Sequence, residues 1–301
     1  MVIKLNFSNL TKNNFSEFKT VLDGRYENSE ASVASMYTWQ HYYNTRFCLD
    51  NDILYSIYDM HGKQAWTAFM PYGKRRNSCD VTDKLKEYFE KELKTNLVIN
   101  LATQDYLDFL INSGKYIFKY KPIPNSFDYV YNVNELIELS GRKFHSKKNN
   151  FNSFVNTHNF EYIRYNASMY EECISFCSDV IRARTKEDTK MYESEMKSIY
   201  ATFDALQELN LICSLITVDG KIVALSVGER LTDNYALIHI EKASYDFRDA
   251  YPVINRLTLE NEFSDMEFVN REEDLGIEGL RKAKESYNPC KMIKKYRIEF
   301  L

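Results

Sequence analysis

Apolar positions along the chain recur in two rhythms, one near 3.6 residues and one of two, and together they predict an order of helices and strands. The first third reads as a strand at 1–5, helices at 15–22 and 30–39, and short strands at 45–49, 53–58 and 64–69, with His61-Gly62 turning between the last two. An amphipathic helix at 81–93, a buried strand at 97–101, a helix at 105–111 and a strand at 116–121 follow, and Pro122 and Pro124 then punctuate the chain. A long helix is predicted over 133–156, with Val133, Ile137, Phe144, Phe151 and Val155 near one face. Gly141 inside it costs about 1 kcal/mol against alanine, which predicts a kink or a close backbone approach.

Beyond that helix the earlier order returns. The pattern gives a strand at 160–165, helices at 170–181 and 193–209, and a strand at 211–218. Asp219-Gly220 makes a hairpin turn into a strand at 221–230, and Thr232-Asp233-Asn234 turns into a strand at 235–241. A helix at 252–263, a strand at 266–269, a helix at 277–286 and a strand at 292–298 complete the chain. Both halves thus repeat one α+β plan, in order and not in residue identity. The expected domains are 1–127 and 128–301, the second including the long linking helix.

The stretch Leu237-Ile238-His239-Ile240-Glu241-Lys242-Ala243 carries the first chemistry. Strict alternation puts Tyr235, Leu237, His239 and Glu241 on one face and Ala236, Ile238 and Ile240 on the other. The element order resembles the GNAT N-acyltransferase fold, used twice. The resemblance implies an α+β protein of two tandem GNAT-like domains with mixed, mostly antiparallel sheets. It also implies that the fourth and fifth strands of the second copy splay around an acyl donor, which would bring His239, Glu241, Asn270, Arg271, Glu272 and Asp274 together. Amide formation needs an amine stripped of its extra proton, so His239 or Glu241 is the candidate base, with Arg271 and Lys242 to steady the oxyanion. A structural reading competes: Glu272 or Asp274 pairs with Arg271 and caps the helix from Ile277, and His239 is a satisfied hydrogen-bonding residue.

Charge adds a second candidate. Arg142, Lys143, His145, Lys148 and Asn149 lie on a polar helical stripe that suits phosphate oxygens, although a solvated basic face explains the same residues. Tyr251 and Asn255 complete the candidate donor-binding set, and Asn270, Glu272, Asp274, Arg281 and Lys284 form the candidate substrate-binding set. The net charge of −4 argues against bulk nucleic-acid coating and leaves room for such a local patch. With 44% hydrophobic and 27% charged residues, the 301-residue chain can bury a core. Six cysteines without a C-x-x-C pair, and no secretory leader, fit a cytoplasmic protein with reduced thiols. Cys173 and Cys177 share a helical face, read as a buried stripe and not as a metal pair. No metal set, P-loop, H-E-x-x-H helix or G-x-S-x-G elbow occurs, and no apolar run is long enough to span a membrane.

Three stretches, Leu139 to Asn149, Ile238 to Ala243, and Val269 to Lys284, closely resemble an uncharacterised bacterial family related to the soluble C-terminal domain of phosphatidylglycerol lysyltransferase. Met36-Tyr37-Thr38-Trp39 extends the match into the first half. The resemblance implies kinship with the Fem-type aminoacyltransferases, which take an amino acid from aminoacyl-tRNA and form an amide or ester. It implies as partners tRNA and an acceptor that is a small amine, a peptide or a lipid headgroup. The loop Ser244-Tyr245-Asp246-Phe247-Arg248-Asp249-Ala250-Tyr251 departs from the acetyltransferase pattern, having no glycine and two acids where the pyrophosphate of coenzyme A is usually held. Aminoacyl-tRNA is therefore favoured over acyl-CoA as donor substrate, with no other cofactor assigned. The alternatives are a non-catalytic binding module that kept the cleft, and a conventional acetyl-CoA-dependent N-acetyltransferase.

Overall fold

The structure is a computed structural model that describes residues 5–59, 62, 65–185, 188–247 and 249–301. Residues 1–4 of the opening strand expected at 1–5, and the turn and strand residues His61 and Gln64, lie outside the described residues. Elements follow largely the expected order. They are helices α1 (Phe15–Leu22) and α2 (Val33–Tyr43), strands β1 (Arg46–Asp50), β2 (Ile53–Tyr58) and β3 (Thr67–Phe69), then α3 (Cys79–Tyr88), β4 (Val98–Thr103), α4 (Gln104–Ser113) and β5 (Phe118–Pro122). The chain continues through β6 (Asp128–Asn132), α5 (Val133–Glu138), α6 (His145–Thr157), β7 (Phe160–Arg164), α7 (Tyr170–Thr185) and α8 (Thr189–Ala205). It ends with β8 (Ile212–Val218), β9 (Lys221–Arg230), β10 (Tyr235–Ala243), α9 (Ala250–Glu262), β11 (Phe268–Asn270), α10 (Glu278–Glu285), β12 (Lys291–Ile293) and β13 (Lys295–Phe300).

Two compact units emerge, and their boundary differs from the expected cut at 127/128. The first comprises 1–128, 273–276 and 293–301, and the second comprises 129–272 and 277–292. The first holds a six-stranded sheet in the order β1-β2-β3-β4-β13-β5, the second a seven-stranded sheet in the order β12-β6-β11-β10-β9-β8-β7. The last strand of the chain thus sits inside the first sheet, pairing antiparallel with β4 and β5. Lys295 anchors it there. Its side chain is fully buried, with Nζ 2.6 Å from Asp128 Oδ1 and 3.2 Å from Ser29 Oγ and a further bond to Glu30.

The repeat is visible in the pairing. Each sheet has a parallel pair joined by a crossover helix, β3 with β4 around α3 and β10 with β11 around α9. In each, the strand that follows is paired antiparallel, β13 on β4 and β6 on β11. The Asp219-Gly220 turn between β8 and β9 forms as expected, with φ of 50° and 74° at its two residues, the left-handed pair that a two-residue hairpin requires.

The long helix expected over 133–156 is broken. Asn132 caps α5 by accepting from the Glu135 amide, and the helix ends at Leu139, φ 48°, followed by Gly141, φ 81°. Left-handed backbone at two positions cannot continue a right-handed helix. A Cβ on Gly141 would meet nothing within 4 Å, so the glycine serves the turn and not a close approach.

In the second unit, α9 is the central helix. Leu259 and Phe263 at its end pack with Tyr131, Val133, Phe144, Ala236 and Ile238, while Val253 and Ile254 nearer its start pack with Phe154, Ile216 and Ala243. Cys173, Cys177 and Cys213 are buried free thiols. Burial pushes Cys173 and Cys177 up to about 12, so they remain protonated core groups.

Candidate functional site

Strands β10 and β11 pair only from Tyr235 to Leu237 against Phe268 to Asn270. Beyond that point β10 runs on to Ala243 while β11 ends, and the two part. At the parting, the register of β10 against β9 slips: Ile238 faces Gly228 and Ile240 faces Val227, so His239 is an extra residue, a β-bulge. Gly228 permits this. A Cβ there would stand 2.7 Å from the Leu237 carbonyl oxygen and 2.8 Å from Ile238 Cδ1.

The bulge reverses the alternation expected for the second half of β10. Ala236 and Ile238 pack toward α9, and so do Glu241, bonded to Asn255 of α9, and Ala243. Lys242 instead bonds Glu195 of α8 at 2.6 Å. His239 and Glu241, expected side by side, are therefore separated in their contacts. His239 lies between Glu229, 3.0 Å from Nε2, and Glu272, 3.2 Å from Nδ1. Burial pulls its pKa down, but the two carboxylates outweigh burial and raise it to about 10. Both ring nitrogens of His239 are thus engaged by carboxylates, which favours Glu241 over His239 as the candidate base. Lys242 is engaged by Glu195, whereas Glu241 is bonded to Asn255 of α9.

What remains at the parting is a pair. Arg271, just past the end of β11, donates to Glu241 Oε1 at 2.6 Å, and Asn255 Nδ2 donates to Glu241 Oε2 at 3.0 Å. Glu241 and Arg271 side chains are 11% and 12% exposed, so water screens them little. The Arg271 guanidinium stands over the rings of Tyr287, 4.6 Å away, and Tyr131, 5.4 Å away. Its Nη1 is buried without a hydrogen-bond partner. Among the described residues no group of His, Cys, Asp or Glu is arranged to hold a metal ion.

The other sequence candidates scatter. Asn270 is buried and accepts from the Glu272 amide at 2.7 Å, which stabilises the turn where Glu272 adopts φ 57°. Asp274 accepts from the Gly276 amide at 2.7 Å and belongs to the first unit. Lys284 donates to the backbone carbonyls of Arg271 and Glu272, holding the end of β11 in place, and Arg281 is half-buried on the same helix, α10. On the basic stripe, Arg142, Lys143, His145, Lys148 and Asn149 are all exposed; Lys143 pairs with Glu135 at 2.7 Å, and Asn149 Nδ2 lies 3.4 Å from His145 Nδ1. Tyr251 is 40% exposed near the start of α9, and its pKa is raised by burial and by Glu241. Lys147 and Tyr287, which the sequence pattern did not single out, are the residues that join Arg271. A helical phase counted from α6 alone, without the break at Gly141, would have pointed to Lys147.

Fold and site together define a protein of two tandem GNAT-like units with a parted strand pair in the second. A family model described as phosphatidylglycerol lysyltransferase, C-terminal, matches residues 24–299, and the chain belongs to that family. Among solved structures, a conserved protein of unknown function from Bacteroides thetaiotaomicron is 26% identical, with a TM-score of 0.91 over 99% of this chain and 100% of that one. L-PGS from Bacillus licheniformis shares the fold at 13% identity and a TM-score of 0.66, covering 94% of this chain and 91% of that one. FemX does so at 10% identity and a TM-score of 0.62, covering 99% and 98%. An uncharacterized protein of Mycoplasmoides gallisepticum is 23% identical over 186 residues, which span 59% of this chain and 57% of that protein.

Proposed function

We propose that the chain is an acyl- or aminoacyltransferase that forms an amide or ester, with its centre where β10 and β11 part. The observation that supports this most directly is the Glu241–Arg271 pair, half-buried at the parting and braced by Asn255. A carboxylate has about four lone-pair sites, and Glu241 spends only some of them on Arg271 and Asn255. It can receive the proton that an acceptor amine or hydroxyl gives up on attacking the donor's carbonyl carbon, while Arg271 offers positive charge to the oxyanion that forms. Membership in the family and the fold shared with L-PGS and FemX are consistent with an aminoacyl donor.

Aminoacyl-tRNA is favoured over acyl-CoA because the loop from Ser244 to Asp249 contains no glycine, and Asp246 and Asp249 precede α9 where a pyrophosphate would sit. Acids there repel a pyrophosphate. The acceptor class remains a small amine, a peptide or a lipid headgroup. Among the described residues no helix is long and apolar enough to cross a membrane, so a lipid acceptor would be met at a surface.

The test is transfer of labelled amino acid from charged tRNA, or of labelled acetyl from acetyl-CoA, to a panel of acceptors, with Glu241→Gln alongside. Loss of a positioned general base should lower the rate by about 10²–10⁴-fold. Equal rates for wild type and variant would remove Glu241 from the mechanism.

A further inference from the structure

The space beside the Glu241–Arg271 pair holds more positive charge than negative. Arg271 and Glu241 offset each other at 2.6 Å. Lys147, on the first turn of α6, then adds a second cation: its Nζ lies 4.2 Å from the centre of the Tyr287 ring, the same ring that Arg271 faces from 4.6 Å. A lysine on a surface helix ordinarily snorkels its ammonium into water. Lys147 is instead half-buried and turned toward another cation, and among the described residues it makes no hydrogen bond or ion pair. Its neighbours behave as expected, Lys143 pairing with Glu135 and Lys148 standing exposed. Burial and then Arg271 hold the Lys147 pKa below the usual lysine value, with Glu241 opposing them. Arg271 also keeps one buried donor, Nη1, without an acceptor.

Two cations, one carboxylate and an aromatic wall leave the site short of one negative group. We propose that Lys147 and Arg271 form a subsite for a single anionic group, a phosphate or a carboxylate, carried by the molecule on which this centre acts. An anion there offsets the excess charge and gives Lys147 the partner it lacks. This rests on the transferase reading for its purpose, but binding of an anion can be measured without any transfer.

The experiment is competitive acetylation of the full chain with acetic anhydride at constant pH and ionic strength, read lysine by lysine by mass spectrometry, with inorganic phosphate or acetate as the probe. Exposed Lys221 and Lys282 serve as internal references. Saturating anion should slow labelling of Lys147 by about tenfold while leaving the references unchanged, the mark of an occupied site. Stronger protection by phosphate assigns the subsite to a phosphate, and protection by acetate alone assigns it to a carboxylate. In calorimetry, Lys147→Gln should weaken binding of the protecting anion about tenfold or more, as loss of one charge-assisted hydrogen bond does. If neither anion protects Lys147 beyond its references, the subsite does not exist, whatever the transfer assay shows. Protection without transfer to any acceptor would overturn the transferase reading and leave the subsite standing.

Discussion

Replacing His239 by glutamine should cost stability at neutral pH and progressively less as pH rises. The imidazole sits between Glu229 and Glu272 with its side chain 9% exposed, and its pKa is raised to about 10. Its folded value lies above the unfolded value of about 6.5, so its stabilisation is fully present below about pH 6.5 and is lost as pH climbs through about 10. A proton held over that interval is worth at most about 5 kcal/mol. Glutamine keeps a donor but no charge and leaves two carboxylates facing each other, so a loss of about 3 kcal/mol is expected at pH 6.5. Urea denaturation of wild type and His239→Gln at intervals from pH 6 to 10 should show the gap closing. The ring resonances of His239 should titrate near pH 10. A midpoint near 6.5, or a gap that widens with pH, would refute the clamp and remove the ground for favouring Glu241 over His239 as the base.

Two further outcomes follow from buried groups in the two sheets. Lys295→Met should cost about 3–5 kcal/mol, because it strands the fully buried Asp128 and the nearby Glu30 without their cation; denaturant titration would show this, and a loss under about 1 kcal/mol would mean that water reaches these carboxylates. Gly228→Ala should destabilise by about 1–3 kcal/mol through overpacking, since its Cβ would press on the Leu237 carbonyl and the Ile238 side chain; a thermal melt unchanged from wild type would show that β9 and β10 have slack at the bulge.

Most of the element order was legible because those elements carry their own local signal, although β6 was not read and the single strand expected at 292–298 is two, β12 and β13. Asp219-Gly220 states its hairpin in two residues, and the apolar spacing of 252–263 states the helix that α9 becomes at 250–262. The exchange of β13 into the first sheet had no such signal. Its residues alternate as any strand does, and only the burial of Lys295 against Asp128, 167 positions earlier, shows which sheet receives it. The bulge at His239 was also illegible from β10 by itself, since the extra residue is set by the opposing strand. Gly228 was the available sign, a strand-interior glycine of the kind that marks a bulge or close backbone approach. Lys147 stands three residues after Phe144 and four before Phe151, the spacing that brings it to the inner side of α6, while Lys143 and Lys148 are exposed.

The two units share a topology, and the difference between them favours the second as the seat of the chemistry. Where β3 and β4 part in the first unit, the residue following β3 is Met70, fully buried, and its sulfur accepts from the Thr103 amide and hydroxyl at 3.4 and 3.3 Å. Arg76 closes that region, bonded to Met70 and Asp105 and stacked 4.5 Å from the Tyr26 ring centre. Its guanidinium atoms are not among the buried groups lacking a partner. The first parting is thus filled by Met70, an adaptable side chain, and closed by the Arg76–Asp105 ion pair. The second holds Glu241 and Arg271, a pair that costs desolvation and that apolar residues of similar volume would replace with little loss of stability. Each copy thus carries an arginine–carboxylate pair at its parting, and the two differ in that Arg271 keeps a buried donor, Nη1, without a partner while Arg76 does not. That unfilled donor, with Lys147 facing the same Tyr287 ring, is what the proposed anion subsite accounts for.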